Sequence, residues 1–443
     1  MLSKSDLKQR VCHAIDTQRD DIISIGDTIL RNPETGFNEH KTTQLVLDEF
    51  QKLGLPSESG LAVTGVKSRL TSPRKGPTVA ILGELDSLVV SEHPLADPIT
   101  GAAHACGHNA QIAGLVGAAR ALKVSGVIDQ LSGEVVFLAV PAEEFIEIED
   151  RKARRASNEL EFLLGKSELV AKNHFDDIDM AMMIHTIADS KTRSMLVDSS
   201  NGAVIKRVKF KGRAAHAGAI PQLGINALNA ATIALMSIGL LRETFWEKDT
   251  IRIHPIITKG GDAVSVVPSE VCVETFIRGA STAAILDANE KVNRCLRAGA
   301  MAVGAEVEIE TIPGYLPQIN NPDMGILYGE NVDILFGPGQ FTSGGHRTSS
   351  TDMGDIAHLM PVIHPYVLGA KGLIHGETWQ IDDSENAYVS PAKLLAMTVI
   401  DLLYDGAEQA QRILNNHVAP MSKSDYLEYQ RRLFSTETYL PEP

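Results

Sequence analysis

The segment HACGH sets a thiol, Cys106, two positions before an imidazole, His108, on a turn that Gly107 allows to bend. A thiolate and an imidazole are soft-to-borderline donors, a pairing suited to a divalent transition metal. Taken alone, the pentapeptide fits a plainer reading equally well, a half-buried cysteine beside a histidine packed at a helix start. The segment PAEEF brings two adjacent carboxylates, Glu143 and Glu144. Neighbours at a strand end do not share a direction, so one acid can ligate a metal while the other takes a proton from water. An isolated pair of this kind is more often two solvated loop acids. His185 follows the apolar run MAMMI, and His375 lies in KGLIHGETW. Either histidine alone is more often a packed or rim residue than a ligand. The conjunction shifts that balance: Cys106, His108, Glu144 and His185 all follow apolar runs or open a helix, and together supply donors for one or two metal ions.

The surrounding pattern is that of an α/β protein. TVAILG (78–83), EVVFLAV (134–140) and MAMMI (180–184) are short apolar runs, each followed by an acid or a histidine. Such runs fit strands buried on both faces of a mainly parallel sheet, whose functional groups gather past the carboxyl ends. A helix is expected over 110–122, a single amphipathic helix over 4–30, another over 41–54, and a late one near 391–405. Between 202 and 313 the texture becomes β-α-β-β-α-β, with alternating strands and two helices, which predicts a smaller α+β lid inserted into the catalytic domain. The expected division is catalytic domain 1–201, inserted lid and dimerisation domain 202–313, and catalytic domain again from 314 to 443. The charged tail from about 418 receives no assignment.

Composition narrows the function. The chain has 443 residues, 44% apolar, which is enough for a large core. Its 41 basic and 56 acidic side chains give a net charge of −15, which argues against nucleic acid or an anionic membrane as the principal partner. No apolar run reaches the ~18–20 residues of a membrane span, and the N-terminal residues lack the apolar core of a secretory signal. Four scattered cysteines are too few for a disulfide scaffold. A cytoplasmic enzyme acting on a small molecule is the expectation.

Nine segments in order then extend the reading: NPETGFNEHKT, GELDSL, HACGHNAQIAG, VPAEE, IHT, GRAAHAGAIPQLGINAL, GGDAVSVVPSE, SSTDMGDIAHLMP and IHGETW. Together they resemble the M20 metallopeptidases, in the amidohydrolase branch that cleaves N-acyl and N-aminobenzoyl amino acids. The resemblance implies that Cys106, His108, Glu144, His185 and His375 are the metal ligands. It makes Glu143 the general base, Asp86 an acid supporting the ligands, and His216 an oxyanion donor that reaches the active site of a neighbouring subunit. It further implies two divalent ions per subunit, zinc or manganese with cobalt or nickel as further candidates, and a homodimer formed through the lid. The chain departs from the family pattern at Glu84, Val89, Asn109, Gln111 and Ser265.

The implied reaction is hydrolysis of the amide of an N-acyl or N-aminobenzoyl amino acid by metal-activated water. Because such a substrate ends in a carboxylate, Arg278 and Arg347 are candidate partners for it. The alternatives are a dipeptidase or aminopeptidase of the same family and a non-catalytic binding homologue. His104 is read as a supporting residue, and His346 and His364 as loop or core residues. The apolar helix of 226–242 serves either core packing or a dimer seam.

Overall fold

The computed structural model describes residues 2–441. The chain divides into two compact units. The first runs to Asp198 and adds Ile319–Gly345 and Leu359–Pro420; the second takes Ser199–Gln318, His346–His358 and the chain from Met421.

The first unit is built on a six-stranded sheet ordered Ser57–Leu61, Gly65–Thr71, Ser132–Val140, Arg74–Glu84, Met180–Met182 and Val362–Ile363. The last four strands in that order are parallel, and the first two are antiparallel additions. The three apolar runs are the three central strands, buried along most of their length. Register fixes where they end. Glu84 is level with Val140, and Ile81 with Met182, so the residues that follow emerge side by side at one sheet edge. Those residues include Asp86, Glu143, Glu144 and His185.

The helix His108–Val124 packs on this sheet and against Arg19–Leu30 and Ser390–Leu403. Its glycines permit that approach: a Cβ at Gly117 would lie 2.8 Å from Ala392 Cβ and 3.0 Å from Ile22. The helix Ser390–Leu403 is buried throughout, so its apolar character belongs to the core. No single helix among the described residues is long and apolar enough to cross a membrane. The single helix expected over 4–30 is two, Lys4–Asp16 and Arg19–Leu30. The first ends at Thr17, and Gln18 leaves helical geometry at φ −114°, ψ 15°. Apolar spacing continued across the break because both helices bury the same kind of face.

The second unit holds an antiparallel sheet ordered Arg252–Ile253, Glu270–Gly279, Gly202–Lys211, Glu306–Pro313 and Ser435–Tyr439, with Ile256–Lys259 also pairing Glu270–Gly279. The helices Ala227–Leu240 and Thr282–Val303 pack on it. Pro255 lacks an N–H and splits the run 252–258 into two short strands. The unassigned tail forms the helix Lys423–Leu433 and a strand that pairs with Glu306–Pro313. The helix Ala227–Leu240 buries Ala230, Ala231, Ala234 and Ile238 while Met236 and Leu240 stay exposed, so part of its apolar surface is core and part faces outward.

Lys206 is wholly buried in this unit and donates to Thr311 Oγ1 at 2.5 Å. Burial pushes its pKa down to about 8, against the opposing pull of Glu437 and Glu290. Below pH 8 the ammonium is charged in both folded and unfolded chains, and burying it costs on the order of 3 kcal/mol. Between about 8 and the ordinary 10.5 the unfolded chain binds the extra proton, so stability rises with pH. Lys206→Met should therefore raise the melting temperature at pH 7, and the gain should shrink as pH climbs through that window. A variant that melts lower at pH 7 would contradict this account.

Candidate metal centre

The geometry at the sheet edge begins with Gly107, whose φ of 103° lies in the left-handed region that favours glycine. A Cβ there would lie 3.1 Å from the Trp379 ring, so the turn also needs the missing side chain. It leaves Cys106 just before the helix and makes His108 the first helical residue. His185 begins a short strand beside Tyr366. His375 sits in a loop at φ 62°, its N–H donating to Ala105 O at 2.8 Å. Glu143 and Glu144 follow Ala142, which itself has φ 51°.

Two sets of donors result. The ligand atoms of Cys106, His108 and His185 lie within 4.8 Å of one another, and so do those of Cys106, Glu144 and His375. Cys106 Sγ is 3.3 Å from His185 Nε2, and His375 Nε2 is 3.3 Å from Glu144 Oε1. The donor chemistry fits a cation. His185 Nδ1 lies 2.7 Å from the carbonyl of Thr186, an acceptor only, so Nδ1 carries the proton and the Nε2 lone pair faces Cys106. His108 Nδ1 donates in the same way to Asp86, 2.9 Å from its carbonyl and 3.1 Å from Oδ1, which turns Nε2 inward. That Nε2 lies 3.1 Å from Glu84 Oε2, and Glu144 Oε1 lies 3.3 Å from His375 Nε2; both are ion-pair contacts of buried donor atoms that lack hydrogen-bond geometry among the described residues.

The electrostatics agree. Burial and Glu144 push the Cys106 thiol up, but His108 and His185 outweigh them and bring it down to about 6. A thiolate is thus available at neutral pH. Burial disfavours a charged His108, yet Glu84, Cys106 and Asp86 push its pKa well above the ordinary imidazole value. A field that favours a proton at Nε2 also favours a metal cation in its place.

The structure gathers Asp86, Cys106, His108, Glu143, Glu144, His185 and His375. Glu143 Oε2 lies 3.9 Å from His108 Nε2. Asp86 joins the two donor sets, taking His108 with Oδ1 and the Glu144 N–H with Oδ2 at 2.9 Å. His216, Arg278 and Arg347 lie in the second unit. His216 is exposed, and its Nδ1 accepts the N–H groups of Gly218 and Ala219, both at 3.1 Å, which leaves Nε2–H as an outward donor. Arg278 stacks on Phe276, 4.9 Å from the ring centre, and stands directly across the strand pair from Arg252. Arg347 lies on a short strand parallel to Ser199–Ser200.

The remaining histidines divide. His346 is held by Asn201 at 2.8 Å and Ser199 at 2.9 Å. His364 is buried, stacked on Tyr366 and edge-on to His185 with ring centres 6.0 Å apart. His104 is buried with neither ring nitrogen hydrogen-bonded among the described residues, so it does not brace the ligands by a hydrogen bond. Asn109 points away from the centre, donating to Gly26 O and Tyr388 Oη.

Sequence reasoning missed Lys166. It is wholly buried, with Nζ 2.6 Å from Glu84 Oε1. Gln111 Nε2 donates to Glu84 Oε2 at 2.8 Å, while the Glu84 N–H donates back to Gln111 Oε1 at 3.0 Å. Two departures from the family pattern, Glu84 and Gln111, are therefore one hydrogen-bonded unit. Burial opposes ionisation of Glu84, but Lys166 and His108 hold its carboxyl below the usual range. Glu84, His108 and Glu143 form a third group of close donors, in which Lys166 already answers the Glu84 charge. The only hint in the sequence was a lysine inside the mostly apolar stretch LLGKSELV.

Residues 80–401 match the model of peptidase family M20/M25/M40. The chain belongs to this family. It is 30% identical over 434 residues to the Xaa-Arg dipeptidase of Mus musculus, an alignment covering 90% of each chain. It is 25% identical over 335 residues to an N-acyl-L-amino acid amidohydrolase of Geobacillus stearothermophilus, covering 73% of this chain and 84% of that one. In fold it matches a dinuclear metal-binding M20 peptidase of Bacillus subtilis with a TM-score of 0.66 at 18% identity, covering 88% of this chain and 99% of that one. The protein is thus an M20 hydrolase whose mixed α/β fold agrees with the sequence expectation.

Asp86 gives the first test of the centre. Partners that orient metal ligands typically account for ~10–100-fold in metal affinity. Asp86→Ala should weaken zinc or cobalt binding by that order in a chelator competition, and unchanged affinity would show that Asp86 does not orient the donors.

Proposed function

We propose that this M20 hydrolase cleaves the amide bond of an N-acyl or N-aminobenzoyl amino acid, with Glu143 as general base. The reading rests on one observation: two three-donor sets share Cys106 and stand beside a second, separately directed carboxylate. Cys106, His108 and His185 would hold one ion and Cys106, Glu144 and His375 another, with zinc or manganese, cobalt or nickel, all compatible with this mixed donor set. A divalent ion held by these residues would supply acidification of water towards neutral pH and polarisation of a carbonyl.

Glu143 accepts the proton of the attacking water and returns it to the nitrogen of the departing amine. His216 would present Nε2–H to the carbonyl oxygen in the active site of a neighbouring subunit as charge develops on it, in keeping with the two backbone N–H groups that fix its tautomer. Arg278 and Arg347 pair with the substrate carboxylate. Opposed arginines at 252 and 278 support this role, since like charges across a strand pair are unfavourable unless an anion joins them. The exposed Met236 and Leu240 suit a homodimer formed through the second unit.

The likeness to the mouse Xaa-Arg dipeptidase favours a second reading, in which the substrate is a dipeptide. A panel of N-acyl amino acids, N-aminobenzoyl amino acids and dipeptides, including some ending in arginine, separates the two. Release of amino acid from the acyl substrates supports the first reading, turnover of dipeptides alone supports the second, and no turnover of the metal-loaded protein rejects both. On the cleaved substrate, Glu143→Gln should retain metal and lose about 10²–10⁴-fold in kcat. His216→Ala should lose about 10²–10³-fold with metal content intact. Elemental analysis should find both ions diminished in Cys106→Ala and one in His375→Ala; equal stoichiometry in the two variants would contradict the shared thiolate.

A further inference from the structure

The two acids of PAEEF depend on a short segment whose backbone is held on three sides. Ala142 lies in the left-handed region at φ 51°, a conformation that costs an L-residue about 1–3 kcal/mol and persists only where its surroundings impose it. Its carbonyl accepts from Gly165 N at 3.0 Å. Its N–H donates to Glu39 Oε1 at 2.8 Å. One residue beyond Glu143, the Glu144 N–H donates to Asp86 Oδ2 at 2.9 Å. Glu143 therefore sits between two backbone N–H groups, each taken by a different buried carboxylate. Asp86 also holds His108. Among the described residues the Glu39 carboxyl is hydrogen-bonded to none of the candidate ligands, and its other oxygen is occupied by the Thr64 hydroxyl at 2.5 Å.

Glu39 is wholly buried, and burial together with nearby Asp86 pushes its pKa up to about 8. Setting a second carboxyl beside Asp86 in the interior is unfavourable for folding. A neutral or apolar residue would fill the space with less penalty. What the carboxyl supplies in return is an acceptor at the one N–H that enforces the turn before Glu143.

We propose that Glu39 is a positioning residue for Glu143: by accepting the Ala142 N–H it fixes the left-handed turn that aims the Glu143 carboxylate. This rests on the reading of Glu143 as the general base. Glu39 acts through the backbone and reaches neither substrate nor metal. Misplacement of a reacting group by about 1 Å costs on the order of 10²-fold in rate. Loss of Glu39 should consequently fall on kcat, leaving KM and metal content nearly unchanged.

The experiment compares Glu39→Ala, Glu39→Gln and Thr64→Val with wild type as full-length, metal-loaded proteins. Glutamine keeps an oxygen for Ala142 N–H, and the Thr64 hydroxyl can turn to accept from its amide. Thr64→Val frees one carboxyl oxygen without emptying the site, and so serves where Glu39→Ala fails to fold. Hydrogen exchange of a peptide spanning 137–147 reads the turn directly and needs no substrate. Expected are faster exchange of that peptide and a kcat lowered about 10–10²-fold in Glu39→Ala, a smaller change in the same direction in Thr64→Val, and recovery of both readouts in Glu39→Gln. Unchanged exchange in folded Glu39→Ala and Thr64→Val overturns the proposal, as does a glutamine variant no better than alanine. If exchange responds as expected but wild type cleaves none of the amides, the hydrolase reading fails while the grip of Glu39 on the turn stands.

Discussion

One carboxylate ties the candidate centre together. Asp86 takes the His108 ring with one oxygen and the Glu144 backbone with the other. A single rigid group thus sets the spacing between an imidazole from a helix start and a carboxylate from a strand end. It can do so because it leaves the sheet two residues after Glu84, which is level with Val140 in the neighbouring parallel strand. Parallel pairing brings strand ends of distant segments to one edge, and here that edge carries nearly all the donors. The same register that buries the apolar runs fixes the distances between polar groups beyond them.

Concentrating so many acids in the interior has an electrostatic consequence. Glu39, Glu84, Asp86, Glu143 and Glu144 are all buried, in a chain already carrying −15 overall. Four of the five are answered by close partners, and Glu143 faces His108 Nε2 at 3.9 Å. Lys166 and Gln111 meet Glu84, backbone N–H groups meet Glu39 and Asp86, and His375 meets Glu144. The acceptors directed at backbone N–H groups hold segments in place, and those directed inward keep the charge that draws a cation. Cys106 belongs to the second kind, its thiol brought down by neighbouring imidazoles. The departures at Glu84 and Gln111 fall into the same scheme. They replace two positions of the family pattern with a pair that bond to each other, Glu84 also taking the buried Lys166.

Much of the arrangement was legible from composition and order along the chain. The three apolar runs are the three central strands, and the acids and histidines after them lie at one edge. The β-α-β-β-α-β texture of 202–313 is the antiparallel sheet of the second unit. The tail was not legible, because Ser435–Tyr439 is a strand only by virtue of the Glu306–Pro313 edge that receives it. The break at Thr17 and Gln18 was not legible either, since apolar spacing records which face is buried and is silent on where a helix ends.

By itself the sequence carried the candidate donor types, the strand ends and helix start near which most of them lie, and the family to which the chain belongs. These are local properties, written in a few consecutive residues each: a thiol and an imidazole around a glycine, two acids after a strand, a histidine after another. Tertiary structure alone decided which polar groups meet. Lys166 finds Glu84 across 82 positions, and Glu39 finds the Ala142 N–H across 103. No spacing rule foretells such pairs, because a buried charge is satisfied by whatever group the fold delivers within about 3 Å, and that delivery depends on every element packed between them.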